Sequence, residues 1–185
     1  AYEMAVDDIA QQAAQARDQG ATEIHIVGGL HPTLPFDYYI DMLQAIGQKA
    51  PQLHIKAFTA VEIVHLARIS KRSRDIAGVL RDLQEAGLGS LPGGGAEMLV
   101  ERVRKIIAPK KTSTDRWLDI HKQVHEAGLR SSATMMYGNV ETAPERIEHF
   151  VRLRDLQDET GGFTAFACWN THPEGVPMQA DLPAK

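Results

Sequence analysis

The run Glu126-Ala127-Gly128-Leu129-Arg130-Ser131-Ser132-Ala133-Thr134-Met135-Met136-Tyr137-Gly138 decides the fold. It reads as the last turn of a helix, a glycine where a left-handed C-terminal residue is wanted, and then a β-branched and apolar strand over Arg130–Met136. Upstream, Glu85-Ala86-Gly87-Leu88-Gly89-Ser90 nearly repeats Glu126-Ala127-Gly128-Leu129-Arg130-Ser131. Two nearly identical helix-to-strand joints are what successive units of a (β/α) barrel produce, and they favour such a barrel over an open doubly wound sheet.

Working outward, further short apolar or β-branched runs lie at Glu23–Val27, Leu53–Phe58, Leu88–Leu91 and Phe163–Trp169. The segments between them carry helical spacing: Val6, Ile9, Ala10 and Ala13; Phe36, Tyr39, Ile40, Leu43 and Ile46; Ile76, Val79, Leu80 and Leu83. Alternating strands and one-faced helices imply an α/β chain of about five parallel strands with outer helices. Thr142-Ala143-Pro144-Glu145 is a capping box and starts a helix from about Ala143 towards Thr160. Five strands do not close an eight-stranded barrel, so a single incomplete barrel domain over 1–185 is expected, with elements missing on both sides.

Composition narrows the function. The 185 residues carry a formal net charge of −4 with basic and acidic residues interspersed, and the densest basic cluster, Lys71-Arg72-Ser73-Arg74, is followed at once by Asp75. That pattern gives no nucleic-acid footprint. No stretch approaches the roughly 18 apolar residues of a membrane span, and Ala1-Tyr2-Glu3-Met4 lacks the start of a secretion signal, so a cytoplasmic location without membrane contact is expected. Cys168 is the single cysteine, which excludes an internal disulfide and any cluster held by this chain's own thiolates.

In parallel α/β folds ligands gather at the carboxyl ends of the strands. Gly28-Gly29-Leu30-His31-Pro32 follows the first strand and is either a ligand-approached loop or an ordinary glycine turn. Lys56-Ala57-Phe58-Thr59-Ala60-Val61-Glu62 places an ammonium, a hydroxyl and a carboxylate at the second, suiting a polar anionic ligand or, equally, a salt bridge with a helix cap. Pro92-Gly93-Gly94-Gly95-Ala96-Glu97 is the sharpest anomaly, because three consecutive glycines cost backbone entropy unless close approach or unusual dihedrals need them. Glu97 is expected to begin a helix. Met135, Met136 and Trp169 read as core, and His172 as a base, a metal ligand or a hydrogen-bonded structural residue. No His-Glu-x-x-His, nucleotide-fingerprint or nucleophile-elbow motif occurs.

Taken together, His25–Pro32, Ser90–Glu97, Ala133–Gly138 and Leu156–Phe163 resemble the radical S-adenosylmethionine (SAM) enzymes of the futalosine pathway of menaquinone biosynthesis over nearly the whole chain. The resemblance implies a partial TIM-type barrel of the radical SAM kind, with SAM and a [4Fe–4S] cluster whose three cysteines lie outside this chain. His54–Glu62 and His172-Pro173 are similar to the aminofutalosine synthase branch, which joins the deoxyadenosyl radical to an enol-ether benzoate; Trp169-Asn170 is similar to the cyclase branch, which abstracts hydrogen. A remnant that only binds a ligand or partner is the alternative from another class.

By motif, the resemblance places Gly28 and Gly29 at the methionine amino group, Glu97 at the ribose, and Tyr137, Gly138 and Glu141 beside the adenine; Glu62 and Gly94 join this cofactor-binding set. Lys56, Arg102, Lys111 and Arg116 are candidates for the carboxylates of methionine and substrate, Arg116 counted with SAM and the others, with His31, with the substrate. Thr59 and His172 face the benzoate as catalytic candidates, and no residue is assigned to a metal. The expected partners are the enol-ether benzoate, an external electron donor and, through exposed barrel edges, a second copy in a homodimer.

Overall fold

In a computed structural model the described residues are 3–172, and they form two compact units that divide after Pro92. The first unit runs α1 (Val6–Asp18), β1 (Glu23–Ile26), α2 (Phe36–Lys49), β2 (His54–Ala57), α3 (Ala60–Ile69), α4 (Ile76–Glu85) and β3 (Ser90–Leu91). Strand β2 pairs in parallel with β1, Glu23 opposite His54 and Ile26 opposite Ala57, and with β3 at Lys56 and Ser90. Ile55 and Ala57 are buried beneath the helices, together with Leu43 and Ile46 of α2, Ile63 and Leu66 of α3, and Val79 and Leu83 of α4. The next residues along the strands, Glu23, His25, His54 and Lys56, stand by strand alternation on the face without helices.

Unit two comprises α5 (Glu101–Ile107), α6 (Thr114–Glu126), β4 (Arg130–Tyr137), α7 (Ala143–Thr160) and β5 (Phe163–Asn170). The parallel β4–β5 ladder runs from Ser131 opposite Phe163 to Tyr137 opposite Asn170, with a register shift between Ser131 and Ser132. Its core contains Met98, Leu99, Val103, Trp117, Ile120, Ala133 and Met135. The Thr142 box is closed in both directions, with the Glu145 amide donating to Thr142 Oγ1 and the Thr142 amide to Glu145 Oε2, and α7 spans the expected residues.

Two expectations are corrected. Helix α5 begins at Glu101 rather than Glu97, whose backbone sits in the left-handed region at φ 46°. The cause lies in the tertiary structure: the buried Arg104 guanidinium donates to the carbonyls of Gly95 and Ala96, and the Met136 amide donates to the Glu97 carbonyl. Trp169 is 56% exposed rather than core, because it lies on β5, whose residues are exposed on both faces beyond Phe163. Pro173 and Glu174, in the run after the fifth strand, lie outside the described residues.

Candidate functional site

At the strand ends of the first unit, one carboxylate organises the loops. Glu62 stands in the first turn of α3 because Thr59 caps that helix. From there Glu62 Oε1 accepts the Gly28 amide at 3.0 Å, while Oε2 accepts the Thr59 amide and hydroxyl at 2.8 Å each. The structure thus brings Gly28, Thr59 and Glu62 together. Gly28 and Gly29 are exposed, a Cβ added to either meets nothing within 4 Å, and their carbonyl oxygens accept no hydrogen bond among the described residues. Gly29 takes φ 72°, in the left-handed region that glycine adopts without strain.

His31 folds back on its own loop, its Nδ1 accepting the amides of Thr33 and Leu34 and its Nε2 pairing with Glu3 at 2.9 Å. Its carbonyl is held by His65 Nε2 of α3. Lys56 stands apart from the loops, on the helix-free strand face, 2.9 Å from Glu23.

The second unit repeats the device. Glu141 Oε1 accepts the Gly138 amide at 2.7 Å and Arg146 Nε at 2.8 Å, and Oε2 accepts the Asn139 amide at 2.8 Å. Burial works to raise the Glu141 carboxyl, but the main-chain amides and Arg146 outweigh it and hold it below the usual carboxylate range. The Arg146 guanidinium also lies over the Tyr137 ring, 5.5 Å from its centroid. At Gly138, φ is 85°, which strains any residue with a Cβ, and a Cβ would also stand 2.6 Å from Asn170 Oδ1 and push it away, so glycine is favoured.

Gly94 accepts the Trp117 indole N–H at 3.2 Å, and Gly93 packs so closely on β4 that its amide reaches Ser132 Oγ at 3.0 Å and its carbonyl accepts Thr134 Oγ1 at 2.7 Å. Glu97 is paired with Lys111, and the loop carrying Lys111 is tied by Arg104 through the Thr112 carbonyl. Arg102 makes a two-pronged pair with Glu145, both contacts at 2.7 Å, and the Glu145 carboxyl is held down at about 2 chiefly by it. Arg116 pairs with Asp119 along α6, and His172 is exposed just beyond β5.

Thus Glu97 and Lys111 meet, as do Tyr137, Gly138 and Glu141, whereas Arg102 and Arg116 stand with partners outside the expected set and His172 is exposed. Arg104, 2% exposed and bonded to main-chain carbonyls, and Arg146 went unnoticed in the sequence, since neither lies at a strand end. Glu23, His25 and His54 also went unnoticed, although their polar i, i+2 spacing in strands was a readable signal.

Among the described residues no group of three or more His, Cys, Asp or Glu side chains is placed to hold a metal, and Cys168 is exposed and alone. An iron–sulfur cluster, which takes three or four thiolates, does not fit these residues. For SAM, acceptors of the right kind are present in each unit: in the first, Gly28 and Gly29 carbonyls without hydrogen-bond partners among the described residues suit an ammonium, and in the second the Glu97 carboxylate, 17% exposed and paired with Lys111, suits a diol. An open groove of about 820 Å³ lined by Phe36, Ile40, Arg72 and Asp82 lies on the helix side, away from the strand ends. No described helix is long and apolar enough to cross a membrane.

A family model described as "Radical SAM superfamily" matches residues 1–153. The chain is 43% identical over its whole length to the aminodeoxyfutalosine synthase of Thermus thermophilus, of which it covers 49%. It is 42% identical over 166 residues, 90% of the chain and 44% of the relative, to a 5-amino-6-(D-ribitylamino)uracil–L-tyrosine 4-hydroxyphenyl transferase of Methanopyrus kandleri. It is 46% identical over 169 residues, 91% of the chain and 42% of the relative, to the cyclic dehypoxanthine futalosine synthase of Streptomyces coelicolor. The chain therefore spans about half the length of the curated relatives it matches. In fold it is similar to the cobalamin-dependent SAM radical enzyme OxsB, with TM-score 0.60 at 12% identity, covering 89% of this chain and 24% of that one. That likeness identifies the architecture as a partial (β/α) barrel with outer helices.

Proposed function

Because this chain belongs to the radical SAM superfamily, we propose that it is the inner part of a single barrel domain in a radical SAM transferase, an aminodeoxyfutalosine synthase. The proposed reaction adds the 5′-deoxyadenosyl radical of SAM to the enol-ether double bond of 3-[(1-carboxyvinyl)oxy]benzoate, with rearrangement and loss of the carboxyl group. SAM is then a substrate, and an external donor supplies the electron.

The observation that carries the reading is the paired strand-end device: Glu62 on Gly28 and Glu141 on Gly138, each buried and each holding a glycine loop by its amide. In this reading the Gly28 and Gly29 carbonyls receive the methionine ammonium, Gly94 and Glu97 the ribose, and Tyr137, Gly138 and Glu141 frame the adenine, while Arg116 serves the methionine carboxylate. Lys56, Arg102, Lys111 and His31 serve the substrate, and Thr59 and His172 its benzoate end. Identity of 43% over the whole of this chain, about half of that relative, supports the synthase. The 46% identity to the cyclic dehypoxanthine futalosine synthase favours the cyclase as second reading.

The test is anaerobic incubation of the longest native chain containing these residues with iron, sulfide, SAM, a reductant and the enol-ether benzoate, with products read by mass spectrometry. Aminodeoxyfutalosine is the expected product. Release of 5′-deoxyadenosine with the benzoate unconsumed moves the assignment to the cyclase. Self-association into a homodimer is part of the proposal, supported by the exposure of β5 along its length; a monomer in sedimentation at high concentration overturns it.

A further inference from the structure

Five polar side chains share the helix-free face of β1–β3 in the first unit. Glu23 lies opposite His54, His25 opposite Lys56, and Lys56 opposite Ser90. Glu23 Oε1 accepts His25 Nε2 at 2.6 Å and Lys56 Nζ at 2.9 Å, Glu23 Oε2 lies 3.7 Å from His54 Nε2, and His54 Nε2 meets Ser90 Oγ at 2.7 Å.

In a (β/α) barrel this face is the lumen, which branched apolar side chains ordinarily fill as a packed core. Here the face is open instead of packed, with the His25, His54 and Glu23 side chains 59%, 42% and 36% exposed, which leaves room for a polar ligand beside them. The cluster also leaves donors unspent. Lys56, its side chain 16% exposed, spends one of three N–H groups on Glu23 and has no other partner among the described residues. Each imidazole carries at least one N–H in either tautomer, Ser90 adds a hydroxyl, and the single carboxylate is Glu23. Burial works to raise the Glu23 carboxyl, but the hydrogen bonds from Lys56 and His25 outweigh it, so it remains their counter-ion.

We propose that Lys56, His25, His54 and Ser90 form a lumenal site for the carboxylate of a small organic acid, with Glu23 holding the donors in place and competing with the ligand for them. That this acid is the substrate rests on the function proposed above; the anion site itself does not.

The experiment is calorimetric titration of the longest native chain with 3-hydroxybenzoate, with 3-hydroxybenzyl alcohol as the carboxylate-free control, and with SAM. The acid binds and the alcohol does not. Lys56→Met weakens the acid about tenfold or more, the loss of one charge-assisted hydrogen bond, Lys56→Arg restores most of it, and SAM affinity stays the same in both. Glu23→Gln, which keeps the shape and removes the competing charge, tightens the acid several-fold. A purely structural Lys56–Glu23 pair would instead leave the acid's affinity unchanged in Lys56→Met variants of native melting temperature, and that result overturns the proposal. If SAM affinity falls while the acid's does not, the site belongs to SAM's own carboxylate and the substrate assignment fails. Intact acid binding without aminodeoxyfutalosine formation sinks the proposed function alone; product formation with an unaltered Lys56→Met affinity sinks this site alone.

Discussion

Lowering the pH from about 7 to about 5 should unfold this protein's second unit through its buried histidines. His121 is fully buried, its ring 3.9 Å from that of Trp117 and its Nδ1 2.8 Å from Ser131 Oγ. The same hydroxyl meets His125 Nε2 at 2.8 Å, and His125 Nδ1 meets Thr160 Oγ1 at 2.7 Å. Burial, with His125 nearby, pushes the His121 imidazole down to about 3; burial and then Arg130 push His125 down to about 4; and burial pushes His149 to about 4. Each is neutral when folded and binds a proton near its ordinary value of about 6.5 once unfolded. The unfolded state therefore holds more protons below about pH 6.5, and stability falls as pH drops through that value towards the folded ones.

Between pH 7 and 5 each group costs about 2 kcal/mol, at about 1.4 kcal/mol per pKa unit, so the three together cost about 5 kcal/mol after allowance for the partial exposure of His125. That is comparable to the whole stability of a marginal domain, about 5–15 kcal/mol. His121→Phe removes one titrating ring, keeps an aromatic against Trp117 and Phe163, and leaves Ser131 Oγ to His125. Urea unfolding followed by circular dichroism should show this variant losing about 2 kcal/mol less than the parent between the two pH values, with equal m-values. An equal loss in both proteins refutes the reasoning.

Glu141→Gln should destabilise the protein by about 1–3 kcal/mol, since Arg146 and two amides lose a charged acceptor. The contribution is present above the unfolded carboxyl's pKa and is lost as pH falls through the depressed folded one, so the variant and parent converge in acid unfolding curves. Gly93→Ala places a Cβ 2.5 Å from the Ser132 carbonyl oxygen and 2.6 Å from Ala133 Cα, both main chain, and should cost about 2–3 kcal/mol in thermal unfolding. Thr142→Ala should cost about 1 kcal/mol as a lost exposed cap, and Thr59→Ala about 2, because the buried Glu62 carboxylate also loses a donor; serine at either position should restore most of the loss in the same melts.

The alternation of strands and helices was legible because it is written in local periodicity: Ile55 and Ala57 under the helices, Leu43 and Ile46 facing them, Thr142 and Glu145 at a helix start. The left-handed backbone of Glu97 was not, since it depends on Arg104 reaching back to the Gly95 and Ala96 carbonyls and on β4 supplying an amide. The lumenal polar face was half legible. Lys56 stood out by charge, and its i, i+2 spacing from His54 puts both on one face of β2, but nothing local says that His25 lies opposite Lys56 across the sheet. The buried histidines gave no signal at all, because the partner hydroxyls of Ser131 and Thr160 arrive from β4 and from the end of α7.

The strand-end acids carry the most general point. Thr59-Ala60-Val61-Glu62 and Gly138-Asn139-Val140-Glu141 look in sequence like two loops that offer a carboxylate to a ligand. In the folded chain each carboxylate is buried and already accepts two main-chain amides, Gly28 and Thr59 in one case, Gly138 and Asn139 in the other. A carboxylate so engaged, and in Glu141 also bound by Arg146, has little capacity left for a ligand's donors. What it leaves available is the loop it anchors, where Gly28 and Gly29 are exposed and their carbonyls accept no hydrogen bond among the described residues. Under the proposed function, recognition at these strand ends falls to main-chain atoms, and the acids act on a ligand by fixing where those atoms stand.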